Sequence, residues 1–250
     1  MSDCTSGNCG TCQPAVLERL GLKTDRWDFV VALAGNPNTG KSTIFNALTG
    51  LRQHTGNWPG KTIARAEGGF SFREKQFKLV DLPGTYSLLS ASPDEEVARD
   101  FILFGKPSVT VVVVDATRLE RNLNLVLQVL QITDKVVVCV NLMDEAKAHG
   151  LTVDCRGLAR DLGVPVVGTA ARQEEGIDDL LQAVFAVASG ATVCNPYQLK
   201  YEVPGLRGAI ETLAGMLRRA FPAVKQESWI ALRLLEGDAR IVDAVKARAL

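Results

Sequence analysis

Short aliphatic runs alternate along the chain with stretches of helical spacing. Phe29–Leu33, Lys78–Val80, Val109–Val114, Val136–Val140 and Val164–Val167 are brief apolar runs. Leu119, Leu123, Val126, Leu127 and Leu130 fall at the spacing that places side chains on one face of a helix. Strands that alternate with helices predict an α/β domain, a mostly parallel sheet covered on both faces. Ala64–Phe72 and Lys75–Val80 break the alternation. Only a short polar turn separates them, so they predict an antiparallel hairpin at a sheet edge.

After Gly190 the strand pattern stops. Leu206, Ala209, Ile210, Leu213 and Leu217 trace one helical face, and Trp229–Leu235 predicts a further helix ending near Gly237 and Asp238. Three segments result: a Cys-containing extension over 1–27, an α/β domain over 28–190 and a small all-helical domain over 191–250. Within the first, Met1–Pro14 reads as disordered or ordered by a metal, and Ala15–Leu20 as a short helix. The sequence stops at Leu250 inside a helix-like stretch, which suggests a longer protein.

At 250 residues and 46% hydrophobic, the chain can bury a sizeable core. Basic and acidic residues balance at 28 each, which argues against a nucleic-acid surface. No run of 18 apolar residues occurs and the polar N-terminus is not a secretory signal, so a soluble cytosolic chain is expected. Cys139, inside an apolar strand, reads as a buried thiol. Cys4, Cys9 and Cys12 form a spaced cluster that could ligate Zn²⁺, Fe²⁺ or an iron–sulfur cluster, or could be a flexible tail with redox-sensitive thiols.

The strand Phe29–Leu33 runs into Gly35-Asn36-Pro37-Asn38-Thr39-Gly40-Lys41-Ser42, a G-x4-G-K-S phosphate loop with helical sequence from Ser42 and Thr43 onward. Its glycines let backbone N–H groups curl around phosphate oxygens, and the helix N-terminus adds positive potential. Lys41 is placed to reach the β- and γ-phosphates, and the Ser42 hydroxyl to ligate Mg²⁺. Asp81-Leu82-Pro83-Gly84 follows another strand. Asp81 suits a water-mediated Mg²⁺ contact, and the Gly84 N–H can face the γ-phosphate.

Asn141-Leu142-Met143-Asp144 resembles the N-K-x-D guanine motif with Leu142 in place of Lys. The Asp144 carboxylate can accept from guanine N1–H and its 2-amino group, both of which adenine lacks. The other reading of Asp144 is a helix cap. Thr169-Ala170-Ala171-Arg172 resembles the S-A-[KR] base loop, with Ala170 in place of Ser. Between the first helix and the hairpin, Gln53–Thr62 is a polar, Gly- and Pro-rich loop at the place of a first switch, with Trp58 read as exposed. Thr62 is favoured over Thr55 as its Mg²⁺ ligand.

Gly35–Ser42, Gly56-Asn57-Trp58-Pro59-Gly60, Asp81–Leu88 and Trp229–Asp238 together resemble the FeoB family of bacterial ferrous-iron transporters. The resemblance covers about Asp28 to the C-terminus and leaves the Cys-containing start unexplained. It implies a Ras-like P-loop GTPase fold followed by a helical domain of guanine-nucleotide-dissociation-inhibitor type. It also implies GTP and GDP as ligands with Mg²⁺, an absent membrane domain that carries Fe²⁺, and a place at the cytoplasmic face of the inner membrane. A small FeoA-like partner and homo-oligomers are further implications. K⁺ is expected at Asn38 with the main-chain carbonyls of Gly56 and Trp58; an Asx turn is the alternative role for Asn38. Thr85 stands where Ras-type enzymes hold a water-orienting Gln, so slow hydrolysis is expected.

Two rival readings remain. One is a GTPase acting on RNA or ribosomes, although residues 191–250 carry nine basic against six acidic residues and no RNA-recognition motif. The other is a nucleotide-binding module without significant hydrolysis.

Overall fold

The computed structural model describes residues 17, 22, 27–50, 53–89, 92–199, 203, 205–222, 224 and 226–247. The cluster Cys4, Cys9 and Cys12 and nearly all of the helix expected at Ala15–Leu20 lie outside them. The chain divides into two units, Met1–Leu130 with Asp134–Tyr197, and Gln131–Thr133 with Gln198–Leu250.

The first unit is built on seven strands: β1 (Phe29–Gly35), β2 (Gln53–Asn57), β3 (Ala64–Phe72), β4 (Lys75–Asp81), β5 (Val109–Asp115), β6 (Val136–Asn141) and β7 (Val166–Gly168). They lie in the order β2-β3-β4-β1-β5-β6-β7. The pairs β1–β4, β1–β5, β5–β6 and β6–β7 are parallel. The pairs β2–β3 and β3–β4 are antiparallel. The helices of this unit are α1 (Lys41–Thr49), α2 (Pro93–Gly105), α3 (Leu119–Ile132), α4 (Met143–Ala148), α5 (Cys155–Leu162) and α6 (Ile177–Ala188). This is the Ras-like P-loop arrangement expected from the alternating pattern.

The hairpin forms as predicted. Phe72 pairs with Lys75, and the two turn residues Arg73 and Glu74 both have positive φ, 48° and 65°. That geometry twists the turn in step with its strands. The hairpin is not itself the sheet margin, because Gln53–Asn57 adds β2 outside it. Main-chain pairing to β3 needs no apolar alternation, so the polar composition of this segment gave no strand signal.

Every residue of β5 and β6 is buried, the mark of central strands covered on both faces. Val31, Leu33, Ile44, Phe45, Leu79, Val111, Val113, Val137, Leu180 and Val184 form the core beneath α1 and α6. Cys139 is in that core, where burial pushes its thiol up to about 12, so it is inert at neutral pH. On α3 the buried stripe runs through Leu125, Val126, Val129 and Leu130, while Leu119 and Leu123 are only half-buried. The buried Asn122 occupies the place that apolar spacing assigns to a neighbour.

The second unit is helical: α7 (Leu206–Ala220), α8 (Glu227–Leu235) and α9 (Ala239–Lys246). Ile210, Ala214 and Leu217 are the buried positions of α7, and the expected Ala209 is exposed instead. Asp238 ends the turn after α8 and caps α9, its Oδ1 accepting from the N–H groups of Arg240 and Ile241 at 3.1 and 3.2 Å.

Candidate functional site

The carboxyl ends of β1, β4, β5 and β6 converge on one edge of the sheet, where open α/β sheets bind ligands. Strand β1 ends at Gly35, and the chain curls through residues 36–40 into α1. Two constraints explain the residues of the curl. A Cβ on Gly35 would lie 2.6 Å from the carbonyl oxygen of Val113 on β5. Gly40 has φ +78°, and a Cβ there would collide with Nδ2 of Asn141. Asn38 also takes a left-handed conformation, with φ 65°, which Asn tolerates better than most residues. The Thr39 hydroxyl donates to the Asn36 carbonyl at 2.9 Å and closes the loop on itself.

Asn141 fastens three segments together. Its Nδ2 donates to the Thr39 carbonyl at 3.0 Å. Its Oδ1 accepts from the Thr169 hydroxyl at 3.1 Å and from the Ala171 N–H at 3.2 Å. The Met143 N–H donates to the Thr169 carbonyl at 3.1 Å. The Asn141–Asp144 and Thr169–Ala171 segments are therefore one wall. Because Ala171 N–H already serves Asn141, a guanine O6 placed there would share that donor. Asp144 lies in the first turn of α4, half-buried, and accepts from Gln173 Nε2 at 3.3 Å. Leu142, at φ 62°, lines the space beside Gly40 that the aliphatic stem of a lysine would otherwise fill.

These groups border a hollow of about 430 Å³. Its floor is Asn36–Gly40 with Thr43, and one wall is Asn141, Leu142, Asp144 and Ala171. Beside that wall, the lining continues with Tyr86, Asp115, Thr117, Arg118, Arg121 and Asn122. Sequence reading missed this part of the lining. The available signal was position: Asp115 terminates the central strand β5 beside the phosphate loop. There Asp115 Oδ1 accepts from both the N–H and the hydroxyl of Thr117 at 2.7 Å, which fixes the turn into α3.

Lys41 lies in the first turn of α1. Its ammonium pairs with the Asp81 carboxylate and donates to the Leu82 carbonyl at 2.8 Å. Burial raises the pKa of Asp81, and the attraction of Lys41 opposes that rise without cancelling it. A divalent cation at this spot would meet the Asp81 carboxylate and, from the exposed first turn of α1, the Ser42 hydroxyl. Both are hard oxygen donors of the kind Mg²⁺ takes, so these residues fit that ion.

The Gly84–Thr85 segment sits against the phosphate loop. Thr85 N–H donates to the Gly35 carbonyl at 3.3 Å, and a Cβ on Gly84 would lie 3.5 Å from Pro37. Thr85 is 4% exposed.

The segment expected to act as a first switch lies elsewhere. Gly56 is held in β2 opposite Arg65, Thr62 is exposed, and neither lines the hollow. Trp58 is not exposed as its surroundings suggested; only 3% of it is accessible. Its ring packs edge-on to Phe101 of α2 at 5.4 Å, and the Arg65 guanidinium lies 5.3 Å from its centroid. The following turn is latched by Lys61, whose Nζ is 2.7 Å from Glu96 Oε2.

Among the described residues, no group of three or more His, Cys, Asp or Glu side chains could hold a metal ion. Nor, among them, is any helix long and apolar enough to cross a membrane.

Fold and site together define a P-loop nucleotide-binding domain. Residues 29–184 match the family model described as ferrous iron transport protein B, and the chain belongs to the FeoB family. It is 39% identical over 212 residues to the Fe(2+) transporter FeoB of Escherichia coli K12, a match that covers 83% of this chain. The match covers 27% of that relative, so the chain spans about a quarter of its length. Among solved structures, the apo cytosolic domain of the Thermotoga maritima FeoB iron transporter is 36% identical with a TM-score of 0.78. The match covers 87% of this chain and 85% of that one. The same cytosolic domain in a GDP form gives 36% identity and a TM-score of 0.78, covering 87% and 84% of the two chains.

Proposed function

We propose that this chain is the GTP-binding, GTP-hydrolysing head of a ferrous-iron transporter. One observation carries the reading: Asn141 joins the phosphate loop to the segment bearing Asp144, so the curl of residues 36–40 and a purine-reading carboxylate share one hollow. A GDP form of a relative with the same fold supports it.

In this reading the N–H groups of residues 36–41 and the Lys41 ammonium take the phosphates, and Ser42 and Asp81 hold Mg²⁺. When bound there, Mg²⁺ would neutralise phosphate charge. Lys41 must leave Asp81 to reach the nucleotide, which frees that carboxylate for the cation's water shell. Asp144 selects guanine, because adenine would leave the carboxylate without its two donors. Gly84 N–H faces the γ-phosphate. Thr85, enclosed and lacking a carboxamide, gives the water no side-chain guide, so turnover is slow. Asn38 would hold K⁺ with the main-chain carbonyls of Gly56 and Trp58 once the Gln53–Thr62 segment closes, and the same movement would bring Thr62 to the Mg²⁺ site. The nucleotide state then passes to the helical unit and to a membrane domain that carries Fe²⁺ at the cytoplasmic face of the inner membrane.

The deciding measurement is the affinity of wild type and Asp144→Ala for GTP, GDP and ATP, each with Mg²⁺. Wild type should prefer guanine nucleotides, and Asp144→Ala should lose that preference. Equal binding of ATP and GTP by wild type overturns the assignment.

A further inference from the structure

The Gln53–Thr62 segment is tied down outside the hollow, and part of the tie comes from a helix remote in sequence. Main-chain pairing with β3 holds β2 as far as Asn57. Beyond that the chain turns through Pro59 and Gly60, whose φ is +70°, and the Lys61 N–H donates to the Trp58 carbonyl at 3.0 Å. That carbonyl is one of the two assigned above to K⁺, and a bond within the turn already uses it. Of residues 54–60 only Trp58 is buried, and the ring it meets edge-on is Phe101 of α2. The Lys61 ammonium reaches the same helix, 2.7 Å from Glu96 Oε2 and 3.4 Å from the Pro93 carbonyl.

Two features make this a hold that can be released. The Lys61 and Glu96 side chains are 31% and 33% exposed. A pair so open to water biases an equilibrium by no more than about fivefold. The indole N–H of Trp58 is buried and, among the described residues, has no hydrogen-bond partner. A donor enclosed in that way weakens the packing that encloses it. The helix that holds the segment is also joined to the phosphate loop's surroundings. α2 begins at Pro93, nine positions after Gly84, which lies against Pro37.

We propose that the Gln53–Thr62 segment is a strap held in an open, resting position by α2, with Glu96 as the positioning residue that fixes it through Lys61; this rests on the closure around K⁺ and Mg²⁺ read above. The docked strap and the closed strap exclude one another, because the turn that carries Trp58 and Lys61 cannot lie on α2 and at Asn38 together. The hold therefore sets how much K⁺ is needed for closure, since apparent affinity falls with the fraction of chains free to close. A shift of the Gly84 segment on binding GTP pulls on the start of α2 and loosens the hold, so the helix passes the nucleotide state from one loop to the other.

The test compares wild type, Lys61→Ala, Glu96→Ala, Lys61→Glu, Glu96→Lys and the double reversal Lys61→Glu/Glu96→Lys as full chains. The readouts are the K⁺ concentration for half-maximal single-turnover GTP hydrolysis, the rate at saturating K⁺, and acrylamide quenching of Trp58 in nucleotide-free protein lacking the other two tryptophans. Lys61→Ala and Glu96→Ala should each lower the half-maximal K⁺ by about threefold, within the range of an exposed pair, and make Trp58 easier to quench. Their rates at saturating K⁺ should match wild type. Each single reversal should lower the K⁺ requirement further, and the double reversal should bring it back toward wild type. Glu96→Ala with an unchanged or higher K⁺ requirement, or single reversals that the double does not rescue, would show that the pair does not hold the strap and would overturn the proposal. Wild type whose turnover is indifferent to K⁺ would remove the closure reading and with it the strap's effect on rate. Quenching would then still tell whether Glu96 anchors the segment, so the two failures are distinct.

Discussion

The carboxamide of Asn141 and the carbonyl of Thr39 meet at 3.0 Å across 102 positions of sequence, and both are almost wholly buried. This bond sets the distance between the phosphate loop and the base-reading wall. Replacing Asn141 by Ala would leave the Thr39 carbonyl and the Ala171 N–H without their partner, and each orphaned group costs about 1–3 kcal/mol. Asn141→Ala should therefore lower unfolding stability by about 3 kcal/mol in urea titration. It should also weaken GDP binding far more than its distance from the phosphates suggests. Unchanged GDP affinity would show that the two walls hold their places without it.

Gly40 and Asn141 should behave as one unit. A Cβ on Gly40 meets a left-handed φ of +78° and collides with Asn141 Nδ2. The conformational part costs about 1–2 kcal/mol whatever stands opposite, whereas the collision disappears once the amide is gone. Gly40→Ala is thus expected to cost less in an Asn141→Ala background than alone, an interaction read from a double-mutant cycle. Strict additivity would show that the collision is relieved by local shift.

The sheet and its nucleotide loops were readable because they leave strong local traces. β5 and β6 are unbroken apolar runs, and Gly35 and Gly40 are demanded by close approach and by φ. Two kinds of feature left no such trace. β2 is joined to β3 by main-chain bonds that any composition permits, so Gln53–Asn57 read as loop. Trp58 looked exposed because its neighbours are polar; its cover comes from Phe101, 43 positions away on α2. The wall bearing Arg121 and Asn122 was hidden for the same reason. A helix's apolar stripe shows which face is buried but not which polar residue its first turn brings to a ligand.

The buried Trp58 offers a probe of the proposed first switch. In this structure its indole is enclosed between Phe101 and Arg65, while Gly56 and Thr62 stand away from the hollow. If the switch closes around GTP and K⁺ as proposed, the indole must leave that enclosure. In a Trp27→Phe/Trp229→Phe background, Trp58 emission should be blue-shifted and quencher-resistant in GDP. It should turn red-shifted and quenchable with a non-hydrolysable GTP analogue in K⁺. GTP turnover should be faster in K⁺ than in Na⁺ for wild type and equal in both for Asn38→Ala. Emission that stays blue in every nucleotide state would mean that the loop reaches the phosphates with its tryptophan still anchored.

Asp81 sets a pH dependence whose sign follows from its surroundings. Its folded pKa is raised, because lost hydration outweighs the attraction of Lys41. The folded chain therefore binds this proton more tightly than the unfolded chain. The stability contributed is present in full below the unfolded pKa and is lost as pH rises through the folded value. For nucleotide-free protein, the Tm of wild type minus that of Asp81→Asn should grow as pH falls from neutrality toward the ordinary carboxylate range. Mg²⁺ with GDP should flatten the trend, since a cation beside Asp81 favours the ionised form. A difference that instead shrinks on acidification would show that pairing with Lys41 outweighs burial, and that the carboxylate is held charged before any nucleotide arrives.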